Sequence, residues 1–203
     1  NLRLLKSHVE SEKLKLELNK ARDIQRRLLP DGALEVGRLI LTGHNEPSEE
    51  VGGDYFDYFE LGQGRVGFVI ADVTGHGLAA AMMMANFQAA VRVALTADVL
   101  LPEAVRRLNR LVCLNTGPSV FITAILARVD SATGAVEYVN AGHPAPLVLH
   151  RRGSEDLSDG MALPLGIEPD ENFVVQRIEP ERDLELVLFY TDGLIEAADP
   201  AGQ

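Results

Sequence analysis

One pair of consecutive helices interrupts what is otherwise a succession of short strands, and that order limits the fold more than any other feature of the chain. Arg38–Gly43, Asp54–Leu61 and Arg65–Ala71 carry β-branched and aromatic residues between turn signals. Gly62-Gln-Gly64 separates the last two, so they should pair antiparallel. Leu78–Ala97 is rich in alanine and methionine, with apolar residues nearly all round it, which predicts a deeply packed helix. Within it, Met82, Met83 and Met84 read as core and edge filling. Pro102–Leu114 is a second helix, with proline in its first turn. Strands resume at Val120–Val129, Ala135–Asn140, Pro146–His150, Phe173–Ile178 and Leu184–Thr191, while polar, glycine-bounded Arg151–Gly160 reads as a loop. Antiparallel strands around one helix pair specify an α+β fold, not a βαβ wound sheet.

Residues 1–29 contain neither glycine nor proline and read as one helix, which Pro30-Asp-Gly32 ends. Leu4, Leu14, Leu18, Ala21 and Leu28 alternate by three and four, with Ser11 and Gln25 as weak positions. That is an imperfect coiled-coil seam. Residues 1–30 are therefore expected to be a helical linker, packed on its own domain or paired with a second copy as a homodimer. The formal net charge of −11 is unevenly spread. Residues 1–30 carry +4, from eight basic and four acidic side chains, which leaves −15 for residues 31–203. An acidic body argues against nucleic acid as the partner. A lone cysteine, Cys113, supports no disulfide framework and fits a reducing, cytoplasmic setting. No signal-peptide pattern opens the chain, and no apolar stretch reads as a bilayer span.

Three aspartates stand out against this background, each in a short glycine-marked motif. Asp54 lies in Val51-Gly-Gly-Asp-Tyr-Phe-Asp57, Asp72 in Ile70-Ala-Asp-Val-Thr-Gly-His-Gly77, and Asp192 in Phe189-Tyr-Thr-Asp-Gly193. Asp72 and Asp192 follow apolar runs that read as buried strands. A carboxylate at such a strand end rests on rigid backbone yet can face a cleft, and three of them suit hard divalent cations. Gly52-Gly53 allows close backbone approach. The turn after Asp72 exposes carbonyls, of which that of Val73 is a candidate further ligand. His76, His143, Asp57 and Asn140 lie near these motifs and read first as structural residues. His76 is also a candidate general acid, and His143 a loop-fixing donor.

Taken in order, these segments resemble the metal-dependent protein phosphatase 2C superfamily, in its bacterial SpoIIE/RsbU-like branch. The resemblance rests on Ala21-Arg-Asp-Ile-Gln-Arg-Arg-Leu-Leu-Pro30, the Asp54 and Asp72 motifs with Leu78-Ala-Ala-Ala81, Phe121-Ile-Thr123, Asn140-Ala-Gly-His-Pro144, Leu163-Pro-Leu-Gly166 and Tyr190-Thr-Asp-Gly-Leu-Ile-Glu196. It implies a four-layer α-β-β-α sandwich of two antiparallel sheets flanked by helices. It also implies removal of phosphate from phosphoserine or phosphothreonine with two Mn²⁺ or Mg²⁺ ions. Asp72 would bridge both ions, with Val73 offering its carbonyl. Asp192 would hold one ion and Asp54 the other. The implied substrate is a phosphorylated STAS-type anti-sigma-factor antagonist, with an upstream sensor domain acting through the N-terminal helix. The family's fourth metal aspartate lies on a final strand that would follow Gln203. Residues 31–203 are thus expected to be a C-terminally truncated phosphatase domain with incomplete metal loading. The alternative is a catalytically inactive, phosphatase-like binding module.

Overall fold

The computed structural model describes residues 2–47, 50–117 and 119–195. In chain order these form helix α1 (Leu2–Arg26), strands β1 (Leu34–Val36), β2 (Leu39–Leu41), β3 (Tyr55–Gly62) and β4 (Arg65–Val73), and helices α2 (Gly77–Thr96) and α3 (Leu101–Asn115). Then follow β5 (Ile122–Asp130), β6 (Val136–Ala141), β7 (Leu147–His150), β8 (Gly153–Asp156), β9 (Gln176–Ile178) and β10 (Leu184–Leu188), and a 3₁₀ turn at Asp192–Leu194. The central sheet has the order β3-β4-β5-β6-β9, and a second sheet the order β10-β7-β8. The described strands all pair antiparallel, and an isolated parallel bridge joins Ala141 to Ala162.

The period-two alternation of the strands divides the core in two. Val69, Ala71 and Val73 of β4, with Ile122, Ala124 and Leu126 of β5, face α2 and α3. Those helices answer with Met84, Phe87, Val91 and Leu95, and with Leu101, Val105, Leu108 and Val112. On the other face, Ile70, Ile125, Ala127 and Tyr138 meet Val148 and Val187 of the second sheet and Phe189 just past β10. The Phe68 and Phe189 rings lie 4.5 Å apart between centroids. The hairpin β1–β2 covers the rest of that face, placing Leu34, Val36, Leu39 and Leu41 over Tyr58, Val66 and Val129. The fold is α+β, as the element order requires. The described residues supply the layers helix, sheet and sheet, with the packed helices over the central sheet.

Several local expectations change. α2 is not deeply packed all round: Met84 is fully buried, while Leu78, Met82 and Val93 are exposed. Among the described residues it is the one helix long and apolar enough to cross a membrane by length and composition. Its buried face is that of a core helix on a sheet. Arg151–Gly160 is not all loop, because Gly153–Asp156 extends the second sheet as β8. Phe173 is buried outside any strand, and β9 begins only at Gln176. β10 stops at Leu188 and is half exposed, being an edge strand among the described residues. β1 is an additional strand that pairs with β2. α1 ends at Arg26 rather than at residue 29, closing with turns from Arg27 N–H to Ile24 and Leu28 N–H to Gln25. Leu18, Ala21, Gln25 and Leu28 of the seam are half-buried, whereas Leu14 is exposed. The side chain of Leu4 and residues 196–203 lie outside the described residues.

One ionic contact fastens the layers beside the first motif. Asp57 is fully buried on β3, facing α2. Arg92 of α2 donates from Nε to Asp57 Oδ2 at 2.7 Å and from Nη2 to Oδ1 at 3.0 Å. The Tyr55 hydroxyl donates a third bond at 3.0 Å, and Arg92 also lies over the Phe59 ring. Removing one partner of a buried pair strands the other charge, which costs more than the pair contributes. Arg92→Ala is therefore expected to lower stability by about 3 kcal/mol or more in urea melts. Asp57→Asn, which keeps only one acceptor oxygen but removes the buried charge and leaves half-exposed Arg92 open to water, should cost less.

Candidate metal centre

Asp72 is the second-last residue of β4 and pairs in register with Thr123 of β5. The chain then turns sharply. Thr74 anchors the turn, donating from its backbone and hydroxyl to the Phe121 carbonyl at 3.1 and 3.0 Å, while its hydroxyl accepts from Phe121 N–H at 3.0 Å. Gly75 and Gly77 take φ values of +94° and +70°, which side chains rarely adopt, and α2 begins at once. The Asp54 loop comes down onto this corner through Gly53. A Cβ on Gly53 would sit 2.5 Å from the Val73 carbonyl oxygen and 3.1 Å from Asp72 Oδ1. Gly53 thus allows what a side chain would block: the backbone just before Asp54 lies against Asp72 and the Val73 carbonyl. Gln25 holds the loop from behind, donating to the Gly52 carbonyl at 2.7 Å and accepting from Gly52 N–H at 3.2 Å.

Asp192 arrives from the second sheet and opens the 3₁₀ turn beyond β10. The three carboxylates feel one another. Burial raises Asp72, and the charges of Asp54 and Asp192 raise it further, to about 7. Asp54 is raised by burial and by Asp192, with the Thr191 hydroxyl offsetting part of the effect. Like charges gathered in a half-buried corner disfavour ionisation in this way. His143 lies next to the same corner, 1% exposed. Burial pushes its imidazole down to about 4, while the Tyr190 backbone and Asp192 pull the other way. The ring is held neutral.

Asp54 and Asp192 lie near enough to Asp72 for their charges to act on it, and the Val73 carbonyl faces Gly53 beside them. They are not crowded into one tight shell. Among the described residues, the set with all ligand atoms within 4.8 Å of one another is His150, Glu181 and Asp183. That set lies near the start of β10, whereas Asp192 lies beyond its end. His76 is the exposed cap residue just before α2. Asp57 is committed to Arg92. Asn140 is a clamp, accepting from His143 N–H at 2.8 Å and donating to the His143 carbonyl at 2.9 Å. Sequence reasoning missed Gln25, Thr123 and Asn109. Asn109 is fully buried on α3, accepts from Gly166 N–H and donates to the carbonyls of Glu168 and Pro169. The available signal in two of these was a polar residue on an otherwise apolar helix stripe.

The sequence family described as Stage II sporulation protein E (SpoIIE) matches residues 62–203, which include two of the three aspartates. The chain belongs to the SpoIIE family. Within the range of SpoIIE relatives, it is 30% identical over 186 residues to the phosphoserine phosphatase RsbP of Bacillus subtilis (strain 168), covering 90% of this chain and 46% of RsbP. The chain thus spans about half the length of the curated relatives it matches. The RsbU and RsbW domains of Rv1364c from Mycobacterium tuberculosis share 29% identity, with a TM-score of 0.61 over 75% of this chain and 42% of that one. The SiaA-PP2C domain of Pseudomonas aeruginosa has a TM-score of 0.72 at 21% identity, over 95% of this chain and 78% of that one. The SpoIIE member described here therefore has the fold of a PP2C phosphatase domain.

The raised carboxylate makes a pH-dependent signature. In metal-free protein, folded Asp72 holds its proton to about pH 7, against 3.8 as its ordinary value. Between those values the folded state binds more protons than the unfolded chain, so stability falls as pH rises. Asp72→Asn removes that fall. With chelator at pH 8, Asp72→Asn is expected to raise Tm by roughly 2–4 °C, the effect of about 1 kcal/mol at this size after discounting for solvent. At pH 4 the two melting curves should converge.

Proposed function

We propose that this chain is a metal-dependent phosphoserine/phosphothreonine protein phosphatase, with Asp54, Asp72 and Asp192 as its catalytic and metal-holding carboxylates. The observation that carries this reading is the convergence of three segments on Asp72: burial and the charges of Asp54 and Asp192 raise its carboxyl, and Gly53 brings the Asp54 loop against it with no side chain between. Such a donor set, all hard oxygens with uncompensated negative charge, fits Mn²⁺ or Mg²⁺. Its spread beyond a single tight shell suits two ions rather than one. Asp72, central to the electrostatic coupling, would bridge them, with the Val73 carbonyl beside it. Asp192 would hold one ion from the second sheet, and Asp54 the other from the Gly52-Gly53 loop. When bound, the ions would supply an acidified water and offset charge on the phosphoryl oxygens. The chain's own part is to fix three carboxylates at set positions on rigid strand ends and to keep His143 uncharged beside them.

The likeness to a phosphoserine phosphatase supports a phosphoserine substrate. The pairing of RsbU with RsbW domains in the mycobacterial structure supports an anti-sigma-factor pathway. The partner we propose is a phosphorylated STAS-type anti-sigma-factor antagonist in the cytoplasm. Residues 1–30 are the linker and 31–203 the phosphatase domain. The Gln25 clamp on Gly52 supports the linker as the route from an upstream sensor, because it joins α1 directly to the Asp54 loop. The exposed Val9, Leu14 and Leu16 leave the outer half of α1 open to a second copy.

The deciding assay is hydrolysis of p-nitrophenyl phosphate and of a phosphoserine-bearing antagonist, with and without Mn²⁺. Turnover should require the metal, and Asp72→Asn should lower it by roughly 10²–10³-fold or more, the scale of losing one electrostatic stabiliser. Binding of the phosphorylated antagonist without hydrolysis, with or without Mn²⁺, would instead establish a docking module.

A further inference from the structure

The imidazole of His143 is enclosed, yet only one of its nitrogens has a regular hydrogen bond. Nδ1 lies 2.9 Å from the Thr123 hydroxyl. Nε2 is wholly buried and has no hydrogen bond of regular geometry, while the Tyr190 backbone lies beside the ring. The loop is built to hold the ring still. Asn140, 2% exposed, bonds both the N–H and the carbonyl of His143. Gly142 has φ +72°, and a Cβ there would sit 2.6 Å from Pro164 Cγ. An apolar side chain would fill the same space without enclosing a polar atom, and enclosed polar atoms are costly unless partnered.

We propose that His143 is a positioning residue that ties the Tyr190–Asp192 corner to Thr123, and through Thr123's register partner to Asp72. A neutral imidazole offers one donor and one acceptor on opposite sides of a rigid ring. The Thr123 hydroxyl donates to Nδ1, which places the ring proton on Nε2. The Tyr190 carbonyl is the acceptor beside that proton. Thr191, the next residue, sets its hydroxyl beside Asp54, and Asp192 follows. Three consecutive residues thus join the ring, one carboxylate and a second carboxylate. Thr123 pairs with Asp72 across the ladder, so the ring measures the distance between Asp192 and Asp72. Outer-shell groups of this kind typically change metal affinity by about 10–100-fold when removed. The part of this inference that concerns metal rests on the phosphatase reading, while the tether itself does not.

The test has two arms. In metal-free protein, ¹⁵N spectra of the His143 side chain should show the Nε2–H tautomer, and amide exchange at Leu194 and Ile195 should quicken in His143→Phe. In calorimetric titration with Mn²⁺, His143→Phe and Thr123→Val should each weaken binding by about 10–100-fold, with less than additive loss when combined. His143→Gln, whose amide can accept from Thr123 and donate to Tyr190, should restore affinity near that of the unaltered protein. Asp57→Asn serves as the control: it should lower Tm without changing Mn²⁺ affinity. An Nδ1–H tautomer, or unchanged exchange in His143→Phe, overturns the tether. Unaltered Mn²⁺ affinity in His143→Phe overturns its role at the metal centre. If the unaltered protein neither binds Mn²⁺ nor hydrolyses phosphoserine, the phosphatase reading fails, and the tautomer and exchange data still decide the tether.

Discussion

Three carboxylates in one half-buried corner repel each other, and that repulsion is the constraint around which the surrounding structure is arranged. Unaided, the corner would relax by opening or by rotating a side chain to water. Here it cannot open easily, because each aspartate is attached to a different stiff support. Asp72 lies within a nine-residue strand paired on both edges. The Asp54 loop is held by Gln25 on one side and pressed on Val73 through Gly53 on the other. The Asp192 turn follows the second sheet, and Phe189 between them packs its ring against Phe68 of the central sheet. The cost of confinement appears as the elevation of Asp72 and Asp54. Cations of suitable charge would relieve it, which is why the tension reads as preparation for a ligand rather than as a flaw.

The remaining motifs are the frame of this corner. Leu165 exchanges two backbone bonds with Ile122, next to Thr123. Asn109 fixes the Gly166 turn to α3. Asn140 and Gly142 shape the loop that carries His143. Stability and chemistry are placed apart: the Asp57–Arg92 pair secures β3 to α2 from inside the first motif without joining the carboxylate cluster. Two aspartates three residues apart therefore do unrelated work, one facing the corner and one facing the helices.

Much of this was legible in the amino-acid order. Strand patterns, the hairpin at Gly62-Gln-Gly64 and the helix pair gave the α+β class, and the glycine before Asp54 marked where two backbones crowd. What stayed hidden depends on tertiary partners. Gln25 looks like a defect in an apolar seam until Gly52 is placed against it. Thr123 is one threonine in a strand until its register with Asp72 and its contact with His143 are known. α2 looks buried by composition, but a helix on a sheet hides only one face, and its small residues are equally common on the other. β8 was illegible because its four residues are all exposed, with no apolar alternation to mark a strand.

The account stands or falls on where divalent ions bind. The most direct measurement is anomalous diffraction from crystals of the protein soaked in Mn²⁺. Two peaks about 3.5–4 Å apart should appear between Asp54, Asp72 and Asp192, with the Val73 carbonyl as a ligand. Peaks only at His150, Glu181 and Asp183, with none beside Asp72, would contradict it.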